Sequence, residues 1–312
     1  MNTPSLRPAA HAAFAALALT GFANPAFAAE PLVDAAWAVA NLNKPGIVFI
    51  DLQPATDYAQ AHIPGAINSN YAKDGWRVER KADKVPDMLP DDLGPLTELI
   101  GSKFGVDNST HVVLVSPGNT STDMGNSTRV YWTFKVLGHD NVSILNGGMS
   151  AYSENEKNPL QQGIIKATPK SFKANVRKDM VITLADVNKA KSAGVVLVDH
   201  RPEEQWVGIS KHPKSTTPGT IEGAKNLSHS WTTVNGGGKF RNKAQLETLY
   251  RYAGVPMTGE QIAFCNTGHW ASIGWFVSSE LVGNKQVKLY DGSMVEYTML
   301  KGPAVETKVK LN

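Results

Sequence analysis

One ordered set of segments occurs twice in this chain, and that duplication limits the possible folds more than any bulk property does. The first copy opens with Gly46-Ile47-Val48-Phe49-Ile50-Asp51, an apolar run closed by an acid. It continues through Val112-Val113-Leu114-Val115, a helical pattern over residues 128–137 stopped at Gly138, and an apolar run at 142–145 before Asn146-Gly147-Gly148-Met149. The second copy has Val195-Val196-Leu197-Val198-Asp199, then residues 261–264, a helical pattern over 272–282 stopped at Gly283, and Val287-Lys288-Leu289-Tyr290 before Asp291-Gly292-Ser293-Met294. Short continuous apolar runs suit strands buried on both faces, and their alternation with helical segments predicts parallel sheets covered on two sides. The units are far longer than solenoid repeats, so the expected fold class is α/β, with two tandem domains, each a central parallel sheet with helices on both faces. The expected boundaries are 29–152 and 179–312, joined by a linker over 153–178 with scattered polar residues, Pro159 and Pro169. Ahead of the first strand, residues 31–43 carry helical apolar spacing.

The copies differ where chemistry would sit. Asp199 and Ile221 are 22 positions apart, against 12 for Asp51 and Ile63, so about ten residues around 210–219 are extra. Cys265, the only cysteine, follows the second strand of the second copy; the first copy has Ser116 there, followed by Pro117-Gly118-Asn119-Thr120-Ser121. Only the second unit can do thiol chemistry.

Redox context gives that lone thiol weight. Arg7, a short Ala/Leu/Phe-rich core over residues 9–22, and Pro25-Ala26-Phe27-Ala28 read as a cleavable export signal over residues 1–28. The expected compartment is the periplasm or the exterior. Exported chains usually pair their cysteines, so a single one excludes an internal disulfide and cysteine-rich metal sites. What remains is an inert core thiol or a reactive one. The 31 Lys and Arg against 28 Asp and Glu, with no basic run, give no argument for a nucleic-acid or membrane partner. The eight histidines show no metal-ligand spacing.

The segment Ile262-Ala263-Phe264-Cys265-Asn266-Thr267-Gly268-His269-Trp270-Ala271-Ser272 reads as strand, glycine-centred loop, then helix. Such a turn aims backbone N–H groups and a helix dipole at the sulfur, favouring a thiolate, a persulfide or a small bound anion. A cysteine-dependent phosphatase would need an arginine six residues after the cysteine to clamp its phosphoryl group. Ala271 stands there.

Together these segments resemble the rhodanese superfamily, specifically the two-domain sulfurtransferases acting on thiosulfate or 3-mercaptopyruvate. Residues 51–68, with His62-Ile63-Pro64-Gly65-Ala66, resemble the family's first signature. Residues 199–226 are a looser copy, with Thr220 where histidine is usual and Glu222 where proline is usual. The Cys-x-x-Gly-x-x-Ala spacing of Cys265, Gly268 and Ala271 is similar to the catalytic loop, and Leu289-Tyr290-Asp291-Gly292-Ser293 to the closing strand and turn. The resemblance implies two rhodanese-like domains, the first inactive and the second catalytic, with the site near their interface. It also implies a double displacement without cofactor: Cys265 takes a sulfane sulfur from a small anionic donor, stands as a persulfide, and passes the sulfur to cyanide, a thiol or a protein acceptor.

Asn266, Thr267, Gly268, His269 and Trp270 are the candidate substrate contacts beside Cys265, with Asp199, Arg201 and Gln205 from the second signature. For Arg201, just after a strand, an ion pair with a nearby carboxylate is the favoured reading. Family members using thiosulfate often carry basic residues just after the cysteine, whereas those using 3-mercaptopyruvate often carry small or polar ones. Asn266 and Thr267 are neutral, His269 is the nearest possible cation, and Gln205 stands where an arginine is frequent. Thiosulfate or a related donor is the expected substrate, with 3-mercaptopyruvate and a non-catalytic persulfide carrier as the alternatives.

Overall fold

Along a strand buried on both faces, successive side chains enter different cores, so register decides where a terminal residue points. A computed structural model describes residue 1, residues 29–302 and residues 304–311, so the expected signal segment lies outside the described residues apart from Met1. In the first half, β1 (Leu32–Val33), β2 (Ile47–Asp51), β3 (Ile67–Asn68), β4 (His111–Val115) and β5 (Val142–Leu145) form a sheet of order β1-β5-β4-β2-β3, parallel throughout. In the second half, β6 (Val196–Asp199), β7 (Thr220–Ile221), β8 (Lys225–Asn226), β9 (Gln261–Phe264), β10 (Val287–Leu289) and β11 (Val305–Glu306) follow. Their main sheet has the order β10-β9-β6-β8, again parallel, while β7 and β11 pair antiparallel beside it. A single parallel bridge from Val181 to Leu289 stands where β1 edges the first sheet. The duplication read in the sequence is therefore a duplicated sheet topology.

Alternation sorts the side chains into three cores. In the first sheet Phe49, Val113, Val115 and Leu145 face an outer core, whereas Ile50, Val112, Leu114 and Ile144 face a core shared by both halves. In the second, Ile262 and Phe264 face outward, while Ala263 and then Cys265 face the shared core. The period of two thus aims the sulfur at the first half of the molecule.

Two helices cross in that shared core. Ser121–Val136 begins with a capping box in which Thr120 and Asp123 bond each other's backbone, and it is buried almost all round. His269–Phe276 follows the cysteine loop and runs on as a wider π-type turn, Val277–Val282, to Gly283. Small residues allow the close approach: Thr128 Oγ1 meets Ser272 Oγ at 2.7 Å, and a Cβ on Gly125 would overlap the His269 ring.

One local expectation needs correction. The helical spacing at 31–43 holds only for Ala35–Ala40, capped by Asp34, whose carboxylate accepts the Trp37 N–H at 2.7 Å. Leu32 and Val33 pair with β5 instead, and two residues are too few to show a period. The stretch expected as a linker binds back along the first half. Gln161 pairs with His62, the N–H of Lys170 donates to Gly101 and that of Asn175 to Leu137, while Phe172 is buried.

Candidate active site

Cys265 closes β9 at the C-terminal end of the parallel sheet, and it is 1% exposed. The N–H groups of Thr267 and Ala271 point at its sulfur. The helix behind it starts from Gly268 with no side-chain cap, so its first turn has no competing acceptor of that kind. Gly268 has φ +77, and a Cβ there would collide with the Arg129 guanidinium and Asp291, so both conformation and space call for glycine.

The loop is braced from behind by Ser293, which in the sequence stands out only as part of a closing turn. Its Oγ accepts the N–H of Cys265 at 3.0 Å and of Gly268 at 3.2 Å, donates to the Tyr290 carbonyl at 2.8 Å, and lies 3.9 Å from the sulfur. Ser293 holds φ 51, a strained left-handed backbone for a residue with a side chain. This corrects the expected cradle in one respect: the Gly268 N–H serves Ser293, not the sulfur.

Electrostatics correct a second expectation. Burial pushes the Cys265 thiol above its ordinary range; the Ala271 and Thr267 N–H groups and the Ser293 hydroxyl pull down, and Asp199 adds to the rise. Burial wins, so the resting group in the free protein is a thiol. The N–H groups lower the cost of an anion that forms there later.

A cavity of about 350 Å³ opens onto Cys265 between the halves. From the second half come Asn266, Thr267, His269, Trp270 and His212; from the first come Tyr71, Arg77, Asp87, Thr122 and Asn126. Arg77 lies over the Tyr71 ring and pairs with Asp87 at 3.3 Å, leaving a partly exposed cation at the mouth. His212 comes from the extra residues that lengthen the second signature. Tyr71, Arg77 and Asp87 were missed because they sit in irregular loops without period or motif, Thr122 and Asn126 because nothing marks them among the first turns of the helix Ser121–Val136, and His212 because extra length alone carries no role.

The residues singled out from sequence divide into three groups. Asn266, Thr267, His269 and Trp270 line the cavity with Cys265, while Gly268 lies behind it against Arg129 and Asp291. His269, the nearest possible cation, is held at both ring nitrogens: its Nε2 faces the Thr122 carbonyl at 2.9 Å and so carries a proton, and its Nδ1 faces Tyr71 Oη at 3.0 Å. Burial, with the nearby Arg77 and Arg129, pushes its pKa down to about 4. Trp270 stacks on His229 at 4.5 Å and donates to Thr122 Oγ1 at 3.1 Å, forming a wall. Asp199 and Arg201 do not reach the cavity: Arg201 grips both Asp199 oxygens and the Gly219 carbonyl, and both are fully buried. Gln205 stands one step back, accepting from the Asn266 amide at 2.8 Å. Among the described residues no cluster of three or more His, Cys, Asp or Glu could hold a metal ion.

A model of the rhodanese-like domain matches the chain twice, over residues 34–155 and 183–300. The chain belongs to the rhodanese family. A Mycobacterium bovis protein named "Putative thiosulfate sulfurtransferase 1" is 32% identical over 284 residues, covering 89% of this chain and 98% of that one. A Haloferax volcanii protein named "Putative thiosulfate sulfurtransferase" is 32% identical over 296 residues, covering 91% and 98%. Among solved structures, the 3-mercaptopyruvate sulfotransferase SseA of Escherichia coli superposes with a TM-score of 0.72 at 22% identity, over 85% of this chain and 99% of its own. The Tum1 protein of Saccharomyces cerevisiae superposes with a TM-score of 0.73 at 23% identity, over 89% and 98%. The paired rhodanese-like domains, each a parallel sheet flanked by helices, account for the duplication seen in the sequence.

Proposed function

We propose that this rhodanese-family protein is a sulfurtransferase that carries a sulfane sulfur on Cys265 from thiosulfate or a related anionic donor to cyanide or a thiol. The observation that carries the reading is the lone thiol at the floor of an interdomain cavity, with two backbone N–H groups on its sulfur. In the first step the Cys265 thiol gives up its proton to solvent, and the thiolate attacks the sulfane sulfur. A new S–S bond forms as the donor's own S–S bond breaks, and sulfite leaves with the electron pair. The persulfide's outer sulfur carries the negative charge, which the N–H groups of the loop stabilise. In the second step an acceptor nucleophile attacks that outer sulfur; the persulfide S–S bond breaks, and the Cys265 thiolate is restored. No cofactor takes part in either half-reaction.

Arg77 at the mouth is the cation best placed to draw in an anionic donor, since His269 is neutral. The relatives' names support thiosulfate, whereas the neutral Asn266 and Thr267 favour 3-mercaptopyruvate as a second reading. The test is product formation from each donor with cyanide as acceptor, for the wild type and Cys265→Ser. Thiocyanate from thiosulfate in the wild type alone is the expected result. Turnover with 3-mercaptopyruvate alone would move the donor assignment, and full activity in Cys265→Ser would end the reading. Loading by one sulfur without turnover would mark a persulfide carrier serving a protein acceptor. We further propose that the chain acts outside the cytoplasm, on the strength of the export pattern at residues 1–28.

A further inference from the structure

The half of the molecule without a cysteine sends one ionised side chain to the back of the cysteine loop. Arg129, on the helix Ser121–Val136, is 1% exposed and forms an ion pair with Asp291 across the domain boundary. Its guanidinium lies against Gly268, close enough that a methyl group there would overlap it. The other Asp291 oxygen accepts the Leu89 N–H at 2.6 Å, and Arg129 Nη2 donates to the Asp87 carbonyl at 3.3 Å. Trp132 stacks 5.0 Å from the guanidinium carbon.

This arrangement is costly for its structural yield. A buried guanidinium offers five donors, yet Arg129 Nε has no partner among the described residues and Nη1 meets Asp291 without making a well-aligned hydrogen bond. Buried ion pairs with incomplete hydrogen bonding contribute little or negative stability compared with apolar side chains of similar shape. Packing alone gives no reason for a charged pair here. Location does: a permanent cation sits behind the loop that holds the only cysteine, in a low-dielectric core where charge acts at a distance.

We propose that Arg129 is a positioning residue whose positive charge, metered by Asp291, favours the anionic states of Cys265 across the domain boundary. The cysteine-free domain is then an electrostatic part of the active site and not only its wall. The proposal rests on Cys265 being the nucleophile, but its test reads the thiol directly and needs no sulfur donor. The measurement is the pH midpoint of Cys265 alkylation by iodoacetamide. A midpoint separates thiol acidity from access to the cavity, which changes only the plateau rate.

Charge and structure predict different patterns. If charge acts, Arg129→Met moves the midpoint up and Asp291→Asn moves it down. Each then changes the neutral-pH rate about tenfold for every pH unit the midpoint moves. Arg129→Lys restores most of the wild-type midpoint, and Arg129→Met with Asp291→Asn returns toward it. If the pair is merely a latch, loosening it from either side moves both single variants the same way, and that result overturns the proposal. So does an unchanged midpoint in both. Should Arg129→Met fail to fold, Asp291→Asn decides the matter alone: a faster neutral-pH reaction with a lowered midpoint sustains the proposal, and any other outcome rejects it. A protein that follows this pattern yet moves no sulfur would leave the proposal standing and remove only the sulfurtransferase reading.

Discussion

The two halves end corresponding strands in opposite ways. In the first, Ser116 bonds Ser127 through both hydroxyls at 2.5 Å, and Thr120 with Asp123 caps the helix that follows. Those bonds stabilise the turn itself. In the second, Cys265 stands where Ser116 does, Gly268 opens the helix without a side-chain cap, and the N–H groups of Thr267 and Ala271 are left for the sulfur. A helix cap contributes about 1 kcal/mol. The second turn goes without it and gains a place where negative charge can sit. One duplicated fold thus gives a capped turn and one that leaves its N–H groups to a thiol.

The two turns depend most heavily on their glycines. Gly268→Ala must adopt φ +77 and push against Arg129 and Asp291, so a loss of about 100-fold or more in sulfur transfer is expected, with about 1–3 kcal/mol lost in stability. Gly118, in the first turn at φ +83, packs against the backbone of Gly147 and Gly148. Gly118→Ala should destabilise comparably in a denaturant melt while leaving the midpoint of thiol alkylation in place. A changed midpoint there would show that the first turn also shapes the chemistry.

Ser293→Ala comes next. It leaves the N–H groups of Cys265 and Gly268 without their shared acceptor, and transfer should fall about 10- to 100-fold as the cradle loosens. Steady-state kinetics on each donor checks it; a wild-type rate would show that backbone strain alone holds the loop.

Smaller effects follow from acidity. Burial pushes the pKa of His200 down to about 4 and that of His229 down to about 3, the second aided by repulsion from His269 and His200. Their folded values lie below the unfolded value, so between roughly pH 4 and 6.5 the unfolded chain binds more protons. The stability these neutral rings contribute is complete above pH 6.5 and is lost as pH falls toward their folded values. Asp51 in the first half works the other way: burial raises it to about 6, so its contribution is lost as pH rises from 3.8 toward 6. The histidines, His269 among them, outnumber it, and chemical melts should show a net loss of about 2–4 kcal/mol between pH 7 and 5. His229→Gln should flatten that dependence; an unchanged slope would mean that His229 does not titrate with unfolding.

The smallest effect is expected at Thr120→Ala, which removes the cap of the first turn. About 1 kcal/mol of stability should go, with kcat unchanged. A fall in kcat at constant KM would show that capping in one half is felt in the other.

Much of this contrast was legible in the residues. Strand runs such as Gln261–Phe264 announce themselves, and the Cys265, Gly268 and Ala271 spacing marks the loop. That the two halves share a sheet topology follows from the duplication. What could not be read was mostly what crosses between halves. Tyr71, Arg77 and Asp87 lie in an irregular excursion after β3, and Arg129 looks like an ordinary helical arginine until the second domain packs on it. The acidity of Cys265 departs from expectation for a related reason: a loop seen alone shows its N–H groups, but the burial that outweighs them belongs to the assembled molecule. Arg201 shows the converse: the ion pair with a nearby carboxylate that its place just after a strand suggests is the one it makes with Asp199.

The most direct test of the proposed sulfur transfer through Cys265 is intact-mass measurement after brief exposure to thiosulfate, and separately to 3-mercaptopyruvate, followed by cyanide. The wild type should gain the mass of one sulfur atom from at least one donor and lose it to cyanide, while Cys265→Ser gains nothing. A wild type that takes up no sulfur from either, or a Cys265→Ser variant that takes it up equally, would contradict the assignment of this loop as the sulfur-carrying site.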